Sequence, residues 1–319
     1  MTASDDDIYS RSSGLIENGA LLKKRALIIG LGSFGSNIAV ELAKAAVGSF
    51  ALMDFDKLER HNVVRHACYL KDVGRFKTDA VAELILGKNP YATVDKFTFD
   101  MNDHLDVLSR EIDKADIVIC ATDNNRSRFN LSSLLREHPK FCLFGRAVTR
   151  AEGGDVFCHR PGGPCYCCLV GNQWFDQAAE EITNEMSARA DGRIAAYVSP
   201  EEADAMVQVG LASDIEPITN LMVKLALLEL SKGTESGISA LENELIYDYY
   251  MWANRRERRH RNWSSFADGG NRPTILRWYG AKIARDSACA ICGVSEISLD
   301  DGSDIELELE RISSDTPCL

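Results

Sequence analysis

The sequence has no long hydrophobic run and no excess of positive charge, and both absences narrow the class of protein. The longest apolar stretches, residues 26–29 and 117–121, are far shorter than the ~18 residues that a membrane-spanning helix needs. We therefore expect no membrane helix. The 36 basic and 48 acidic side chains give a net charge of −12, which argues against nucleic acid as the main partner.

The amino terminus lacks the basic-then-apolar order of a secretory signal, which predicts a cytoplasmic protein. Ten cysteines in a cytoplasmic chain of 319 residues indicate metal binding or catalysis before disulfide bonds. The composition is 45% hydrophobic and 26% charged, as in an ordinary globular protein. It excludes disordered, collagen-like and disulfide-rich miniprotein classes.

Strand and helix patterns alternate along residues 26–160, which predicts a Rossmann-like α/β fold. In such a fold a mostly parallel sheet carries helices on both faces. The predicted strands are 26–29, 50–54, 93–99, 116–121, 141–148 and 154–159. The predicted helices are 36–47, 78–86, 103–112 and 127–137. Later in the chain we predict one helix, 215–230, and two strands, 244–252 and 274–283.

Three glycines, Gly30, Gly32 and Gly35, follow the first predicted strand. Glycines between a strand and a helix let the backbone approach a phosphate at the helix N-terminus. Asp54 comes 19 residues after Gly35, at the end of the next strand, where a carboxylate accepts hydrogen bonds from ribose hydroxyls. Together these residues indicate a nucleotide site. The alternative is a tight strand-to-helix turn with a solvated aspartate.

The polar loop 55–76 bears on which nucleotide is bound. Dehydrogenases have no standard need for a second acid, an Asn, an Arg and a Lys near the ribose acid. Triphosphate chemistry does use such groups, because cations neutralise the phosphates. Asp56, Asn62 and Arg65 lie in this loop, and Lys77 follows it.

Triphosphate chemistry also needs a carboxylate that holds magnesium, and Asp123 is the candidate. It follows a later predicted strand, and open α/β sheets bind their ligands at the carboxyl ends of strands. The alternative role for Asp123 and Asn124 is an Asx turn or a helix cap.

Two Cys-x-x-Cys pairs, Cys165 with Cys168 and Cys289 with Cys292, are typical of a structural zinc site with four thiolates. The pairs are separated by 120 residues, so zinc would hold distant parts of the chain together. Four unrelated thiols are one alternative. A redox Cys-x-x-Cys is another, although it does not explain the second pair.

Taken together, these motifs resemble the ubiquitin-activating-like adenylyltransferases, the ThiF/MoeB family. The resemblance covers residues 9–293 and includes Asn89, Pro90 and Arg128. It implies an enzyme that uses ATP to adenylate the C-terminal glycine of a ubiquitin-like or sulfur-carrier protein, with release of pyrophosphate. It also implies ATP, Mg²⁺ and Zn²⁺ as cofactors.

The resemblance assigns roles to single residues. Asp54 would hold the ribose, Asp56 would belong to the nucleotide-binding set, and Asp123 would bind magnesium. The triphosphate would be contacted by Asn62, Arg65 and Lys77. Arg11, which follows Tyr9 and Ser10, would reach the ATP of a neighbouring subunit, so a homodimer is implied. The implied catalytic residues are Arg11, Arg65, Lys77 and Asp123.

The chain also departs from the family pattern. Ser33 and Phe34 stand where a glycine pair is usual, and His66 stands where Gln is usual. Residues 169–288 contain no cysteine, although members that form a thioester keep one there. We therefore predict adenylation without an obligatory thioester on that segment, which would leave Cys167 and Cys318 as the candidates for an acyl acceptor.

These predictions divide the chain into an N-terminal arm, an ATP-binding half, a zinc-linked crossover and C-terminal half, and an acidic tail: residues 1–25, 26–160, 161–294 and 295–319.

Two other function classes stay open. A nicotinamide (NAD) oxidoreductase is supported only by the glycine loop and Asp54, and a non-catalytic scaffold would keep the fold and the zinc. Peptides and small-molecule carboxylates are alternative acceptors. The basic run 255–261 is interpreted as a solvated face, or as a patch for an acidic partner.

Overall fold

One eight-stranded sheet forms the centre of the protein, for which a computed structural model describes residues 8–171, 210–255 and 275–293. The strands are Arg25–Ile29 (β1), Ser49–Met53 (β2), Thr93–Phe97 (β3), Ile117–Cys120 (β4), Cys142–Ala147 (β5), Gly153–His159 (β6), Tyr249–Ala253 (β7) and Arg277–Ala281 (β8). Their order is β3-β2-β1-β4-β5-β6-β7-β8. Strands β1 to β5 pair in parallel, and the pairings from β5 to β8 are antiparallel.

The α-helices within the described residues are Asn18–Leu21 (α1), Gly35–Lys44 (α2), Lys77–Lys88 (α3), Leu105–Lys114 (α4), Asn125–Glu137 (α5), Tyr166–Val170 (α6) and Ala212–Leu230 (α7). Two 3-10 turns, Arg60–Asn62 and Leu70–Asp72, lie within the long polar loop. None of the helices in this part of the chain is long and apolar enough to cross a membrane.

Both faces of the sheet are covered by helices. Along β1, Ala26 and Ile28 pack in the cluster that contains α2, α3 and α7, whereas Leu27 and Ile29 pack in the cluster that contains α4, α5 and α6. All four side chains are buried, as expected for a central parallel strand that has helices on either side. The predicted α/β class, with a mostly parallel sheet, is confirmed.

The strand order places a crevice at the middle of the sheet. From β1 the chain continues outward to β2 and β3, and then returns to the other side of β1 to form β4 and β5. Ligands of open α/β sheets bind at such a switch point, outside the carboxyl ends of the strands. The short connection between β5 and β6 allows only antiparallel pairing, because parallel neighbours need a longer crossover.

The last strands are shorter than predicted. The strand predicted over 244–252 begins only at Tyr249, because Gly237–Asn243 forms a 3-10 helix and the chain turns and bends between that helix and β7. The bend buries Asp248, which accepts hydrogen bonds from the Ile283 amide at 3.3 Å and from Arg160 at 2.8 Å. Several predicted features lie outside the described residues: part of the crossover (172–209), most of the basic run (256–261), the tail from 295, and Cys318.

The N-terminal arm packs on the start of the sheet. Tyr9 and Leu21 are buried, and the Tyr9 hydroxyl donates to the carbonyl of Ala43 on α2 at 3.4 Å. Gly48 fits beneath the arm only because it has no side chain, since a Cβ there would lie 1.8 Å from the Leu22 oxygen. The described part of the arm is therefore integral to the fold.

Candidate functional site

A cleft of about 920 Å³ opens at the carboxyl ends of β1, β2, β4 and β5. Its position matches the switch point of the sheet, where this architecture places ligands. The cleft brings together most of the nucleotide-site residues predicted from the sequence. Those that line it are Gly30, Gly32, Asp54, Asp56, Asn62, Arg65, Lys77 and Asp123.

The three glycines of the first turn have different structural roles. Gly30 has a φ of +83°, and a Cβ there would lie 2.8 Å from the Ala121 carbonyl oxygen. A Cβ on Gly35 would lie 1.8 Å from the Gly30 oxygen, so Gly35 lets α2 begin close against the turn. A Cβ on Gly32 would meet no atom within 4 Å, because it faces the cleft. Gly32 is therefore the glycine beside which a ligand has room.

Asp54 braces the glycine turn from the end of β2. Its Oδ2 accepts a hydrogen bond from the Leu31 amide at 2.6 Å, and its Oδ1 accepts one from the Asp56 amide at 2.8 Å. Burial raises the pKa of Asp54, while Lys77 and the two amides oppose that rise. The carboxylate is thus fixed at the edge of the cleft, where a ligand hydroxyl can donate to it.

Lys77 is the first residue of α3, and its side chain is only 10% exposed. The Nζ atom lies 2.6 Å from Asp56 Oδ2 and 4.0 Å from Asp54 Oδ1. One buried ammonium group therefore faces two carboxylates at the cleft wall. A bound phosphate would be a third anion within reach of the same cation.

The polar loop supplies one capping side chain and one half-buried cation. Asn62 Oδ1 accepts a hydrogen bond from the Glu59 amide at 3.0 Å and so caps the 3-10 turn in which Asn62 lies. Arg65 is half-buried against the cleft, and burial lowers its pKa. Arg65 is thus positioned as a cation that lines the cleft, whereas the carbonyl oxygen of the Asn62 amide serves the local turn.

His66 links this loop to the glycine turn through both ring nitrogens. Nδ1 accepts from the Cys68 amide at 3.1 Å, so the proton of the neutral ring is on Nε2, which donates to the Leu31 carbonyl at 2.6 Å. Burial lowers the pKa of His66 to about 4. A glutamine amide also has one acceptor and one donor group, so it can make the same two bonds. This pairing explains how His66 can replace the glutamine that is usual in the family.

Asp123 and Asn124 have separate functions at the end of β4. Asn124 is the N-cap of α5, because its Oδ1 accepts a hydrogen bond from the Ser127 amide at 2.9 Å. Asp123 is exposed in the cleft, and its carboxylate makes no hydrogen bond or ion pair with the described residues. The capping role considered for this pair therefore belongs to Asn124.

The bulky Phe34 packs in the core beside Gly145 of β5. Phe34 is buried in the core cluster that contains α2 and α7. A Cβ on Gly145 would lie 2.2 Å from the Met222 sulfur and 3.5 Å from the Phe34 ring. Gly145 thus leaves the space into which Met222 packs, and Phe34 lies next to this contact.

Two arginines that the sequence analysis did not identify also line the cleft. Arg146 lies near the end of β5 and Arg150 in the turn that follows. Arg150 has a left-handed backbone, with a φ of 62°, and its carbonyl accepts a hydrogen bond from Arg255. Arg255 in turn pairs with Asp214. A charged residue near the carboxyl end of an otherwise apolar strand was the signal that could have identified Arg146.

Arg11 does not share this cleft. It is exposed on the N-terminal arm and is absent from the described residues that line the cleft of its own chain.

The two cysteine pairs are far apart in the sequence, but the fold brings them together. The Sγ atoms of Cys165, Cys168, Cys289 and Cys292 all lie within 4.8 Å of one another. Close sulfur distances are 3.5 Å for Cys165 to Cys289 and 3.3 Å for Cys168 to Cys292. Tetrahedral zinc with bonds of about 2.3 Å separates its sulfurs by about 3.8 Å, so the cluster fits such an ion after small shifts of the sulfur atoms.

Backbone groups support the same cluster. The Asp286 amide donates to Cys168 Sγ at 3.4 Å, a bond that stabilises a thiolate ligand. Arg136 and Arg285 donate to the carbonyl oxygens of Ile291 and Cys292, which tie the second pair to α5 and to its own turn. The cysteines can therefore hold a metal ion that joins α6 to the C-terminal segment.

Several characterised and uncharacterised proteins are similar to this chain in sequence. The uncharacterized protein y4oA of Sinorhizobium fredii is 26% identical over 307 residues, which cover 90% of this chain and 47% of that protein. The molybdopterin-synthase adenylyltransferase of Escherichia coli is 32% identical over 154 residues, 47% of this chain and 60% of the enzyme. The SAMP-activating enzyme E1 of Haloferax volcanii is 30% identical over 177 residues, 53% of this chain and 63% of the enzyme. The chain spans about half the length of the curated relatives it matches.

A solved structure and a family profile complete the comparison. The crystal structure of E. coli MccB superimposes with a TM-score of 0.63 at 16% identity, and the match covers 92% of this chain and 74% of that one. This likeness concerns the fold alone. The profile of the ThiF family matches residues 11–261, which include the glycine turn, the polar loop, Asp123 and the first cysteine pair. The chain belongs to the ThiF family.

Proposed function

We propose that this protein is an ATP-dependent adenylyltransferase that activates the C-terminal glycine carboxylate of a ubiquitin-like or sulfur-carrier protein. The observation that carries the proposal is the convergence of Gly32, Lys77 and Asp123 on one cleft, from three separate parts of the chain. This set suits a nucleoside triphosphate, because it combines an open backbone turn, a buried cation and an exposed carboxylate. The names of the relatives from E. coli and H. volcanii agree with this activity.

The proposed reaction needs no general base. A carboxylate oxygen of the acceptor attacks the α-phosphorus of ATP, and the new P–O bond forms the acyl-adenylate. The bond from the α-phosphorus to the bridging oxygen breaks, and pyrophosphate leaves with the electron pair. Because the attacking carboxylate is already ionised, no proton is transferred. Lys77 and Arg65 would act by binding and neutralising phosphate oxygens, and Asp54 by holding the ribose.

Two metal ions accompany this proposal. Asp123 would hold Mg²⁺, which supplies positive charge to the phosphates when it is bound. The exposed carboxylate at a strand end supports this role. The four cysteines would hold Zn²⁺ in a closed site, which supports a structural role for that ion. The proposed domain division follows: residues 26–160 bind ATP, and the zinc joins parts of 161–294.

The site favours ATP-dependent adenylation over two competing functions. A nicotinamide oxidoreductase would use the glycine turn and Asp54, but it would have no use for Lys77 beside two acids or for the exposed Asp123. A non-catalytic scaffold would have no physical need to keep Lys77 buried in a cleft, since burying a charged group costs free energy.

The proposal also includes a homodimer. Arg11 lies on the surface of the arm, away from the cleft of its own chain, which supports a role at the cleft of a second copy.

The test is ATP–pyrophosphate exchange with ubiquitin-like and sulfur-carrier proteins that end in glycine. We expect exchange that requires the terminal glycine and that falls by at least about 100-fold in Asp123→Ala, in line with the loss of a metal-binding carboxylate. Asp106→Ala is the matched control, because Asp106 is an exposed aspartate on α4, outside the cleft. Normal exchange by Asp123→Ala would refute the magnesium assignment.

A binding measurement separates the competing classes. We expect MgATP, but not NAD(H), to raise the melting temperature. Protection by NAD(H) alone would refute the proposed activity. MgATP binding with no exchange for any carrier would refute the carrier as acceptor and leave peptides and small carboxylates.

A further inference from the structure

Arg146 and Asp155 form a buried ion pair at the β5 side of the cleft. The Nε atom of Arg146 lies 3.0 Å from Asp155 Oδ1 and 2.8 Å from Oδ2, and the two side chains are 13% and 5% exposed. The Tyr249 hydroxyl donates a third hydrogen bond to Asp155, at 3.3 Å. These contacts fix the orientation of the guanidinium group.

The ion pair is not explained by the packing of the sheet. The next row of residues on the same face is aromatic, because Phe144 pairs with Phe157, and Phe157 with Tyr249. Apolar side chains therefore fill this layer one row away. A buried ion pair contributes little to stability compared with apolar residues of similar size, since both charges lose their hydration. Arg146 lines the cleft, which points to a role in binding.

The carboxyl edge of the sheet presents the cleft groups in a definite order. Asp54 follows β2, Gly30 follows β1, Asp123 comes after β4, and Arg146 lies near the end of β5. Adjacent strands are about 4.8 Å apart, so Arg146 lies one strand beyond the Asp123 position and roughly 14 Å from the Asp54 position. A nucleotide with its ribose at Asp54 and its phosphates at Gly30 and Asp123 would extend toward Arg146.

We infer that Arg146 binds the free carboxylate of the incoming acceptor and positions it beside the phosphates, a role that rests on the proposed adenylation. The acceptor brings a negative charge toward a polyanionic nucleotide, in a chain whose own net charge is −12. An arginine offsets this repulsion and matches the planar geometry of a carboxylate. Asp155 and Tyr249 act as positioning residues, because they hold the guanidinium group in place.

The substrate class that follows is a chain or small molecule that ends in an unblocked carboxylate. The probe is a fluorescein-labelled octapeptide ending in Gly-Gly, prepared with a free carboxylate and as the C-terminal amide. Its binding is measured by anisotropy on the full-length protein loaded with Mg²⁺ and a non-hydrolysable ATP analogue. We expect the wild-type protein to bind the carboxylate form at least about 10-fold more tightly than the amide, as for a charge-assisted hydrogen bond.

Arg146→Ala should abolish this preference while the affinity for MgATP stays within about twofold, and Arg146→Lys should restore part of it. Arg160→Ala is the matched control, because Arg160, the residue after β6, forms a 2.8 Å ion pair with Asp248 outside the cleft. Should Arg146→Ala fail to fold, the double variant Arg146→Met/Asp155→Leu replaces the pair with apolar residues and tests the same preference.

Each outcome decides the inference. An equal affinity of the wild-type protein for the carboxylate and the amide would overturn it, and so would a preference that survives in every Arg146 variant. Pyrophosphate exchange is assayed separately on the same preparations. Carboxylate selectivity without exchange would refute adenylation of a glycine-ended carrier but leave the binding of a free carboxylate by Arg146 standing.

Discussion

The ammonium group of Lys77 lies 2.6 Å from a carboxylate oxygen of Asp56, at the wall of the cleft. Asp54 is the second acid near this cation, at 4.0 Å, and is itself buried. Burial raises the pKa of Asp54, while Lys77 acts in the opposite direction. Lys77 therefore favours the charged form of Asp54, and it also faces the space that we assign to phosphates.

Removing the Lys77 ammonium should weaken MgATP binding. We expect Lys77→Ala to raise the Kd for MgATP by roughly 10- to 100-fold, because one charge-assisted contact to phosphate is lost. Isothermal titration calorimetry measures the change. Lys96→Ala is the matched control, since Lys96 forms a 2.6 Å pair with Asp79 on the exposed surface. An unchanged Kd in Lys77→Ala would contradict the assignment of this residue to the triphosphate.

The cysteine cluster predicts a specific difference between two adjacent residues. Cys168→Ala should lose the bound metal and lower the melting temperature by several degrees, because a closed thiolate site contributes to folding free energy. Cys167→Ala should keep one equivalent of metal, since Cys167 is not among the four clustered sulfurs. Metal content by mass spectrometry and thermal unfolding check both variants. If Cys168→Ala kept its metal, the cluster would not be the binding site.

The buried His66 predicts a pH dependence of stability. Its pKa falls from 6.5 in the unfolded chain to about 4 in the fold, first because of burial and also because Lys77 lies nearby; the bond to Leu31 and the charge of Asp72 oppose the fall. The unfolded chain therefore binds more protons between these two values. The contribution of His66 is complete above pH 6.5 and is lost as the pH falls toward 4, with a total on the order of 3 kcal/mol.

Urea unfolding at pH 7.5, 5.5 and 4.5 measures this dependence. His66→Gln should lose less stability than the wild-type protein over the same range, because its amide does not titrate. His61→Gln is the control, since the His61 side chain is 60% exposed. Parallel pH curves for wild type and His66→Gln would show that His66 does not titrate in this way.

The exposed Arg11 predicts complementation between subunits. Arg11→Ala and Lys77→Ala should each be inactive alone, whereas their mixture should recover roughly a quarter of the wild-type exchange rate. Random pairing makes half of the dimers mixed, and each mixed dimer holds one site with both residues intact. Differently tagged chains verify, before the assay, that the two variants have formed mixed dimers. A mixture that stays inactive despite mixed dimers would exclude a role for Arg11 at the cleft of the partner.

The fold could be predicted largely because its signals are local. Residues 26–29 and 117–120 are continuous apolar runs, as expected for buried parallel strands, and they pair in the centre of the sheet. The prediction was wrong at residues 244–248, where three consecutive apolar residues, 245–247, resemble a strand. There the buried Asp248 forms contacts with distant residues, which no local pattern reveals.

In the candidate site too, some residues could be predicted from local motifs and others could not. Motif spacing was enough to place Gly30, Asp54 and Asp123 at the ends of three strands, and the strand order then brings them to one cleft. Their roles toward ATP and magnesium stay predictions. The charge near the end of an apolar strand marks Arg146 as a candidate, but the sequence could not assign it to the cleft, because an arginine in a strand is equally compatible with an exposed edge.

The sequence by itself determined the α/β architecture, the glycine turn with Asp54 after the next strand, and the two cysteine pairs, since each depends on residue types at short spacing. The tertiary structure alone decided that Asn124 caps α5 while Asp123 faces the cleft, that Gly145 makes room for Met222, and that Arg146 is held by Asp155. These relationships depend on strand register and on contacts between distant segments. They arise only when the sheet is assembled, because a contact stabilises the protein only after the fold has brought both of its residues together.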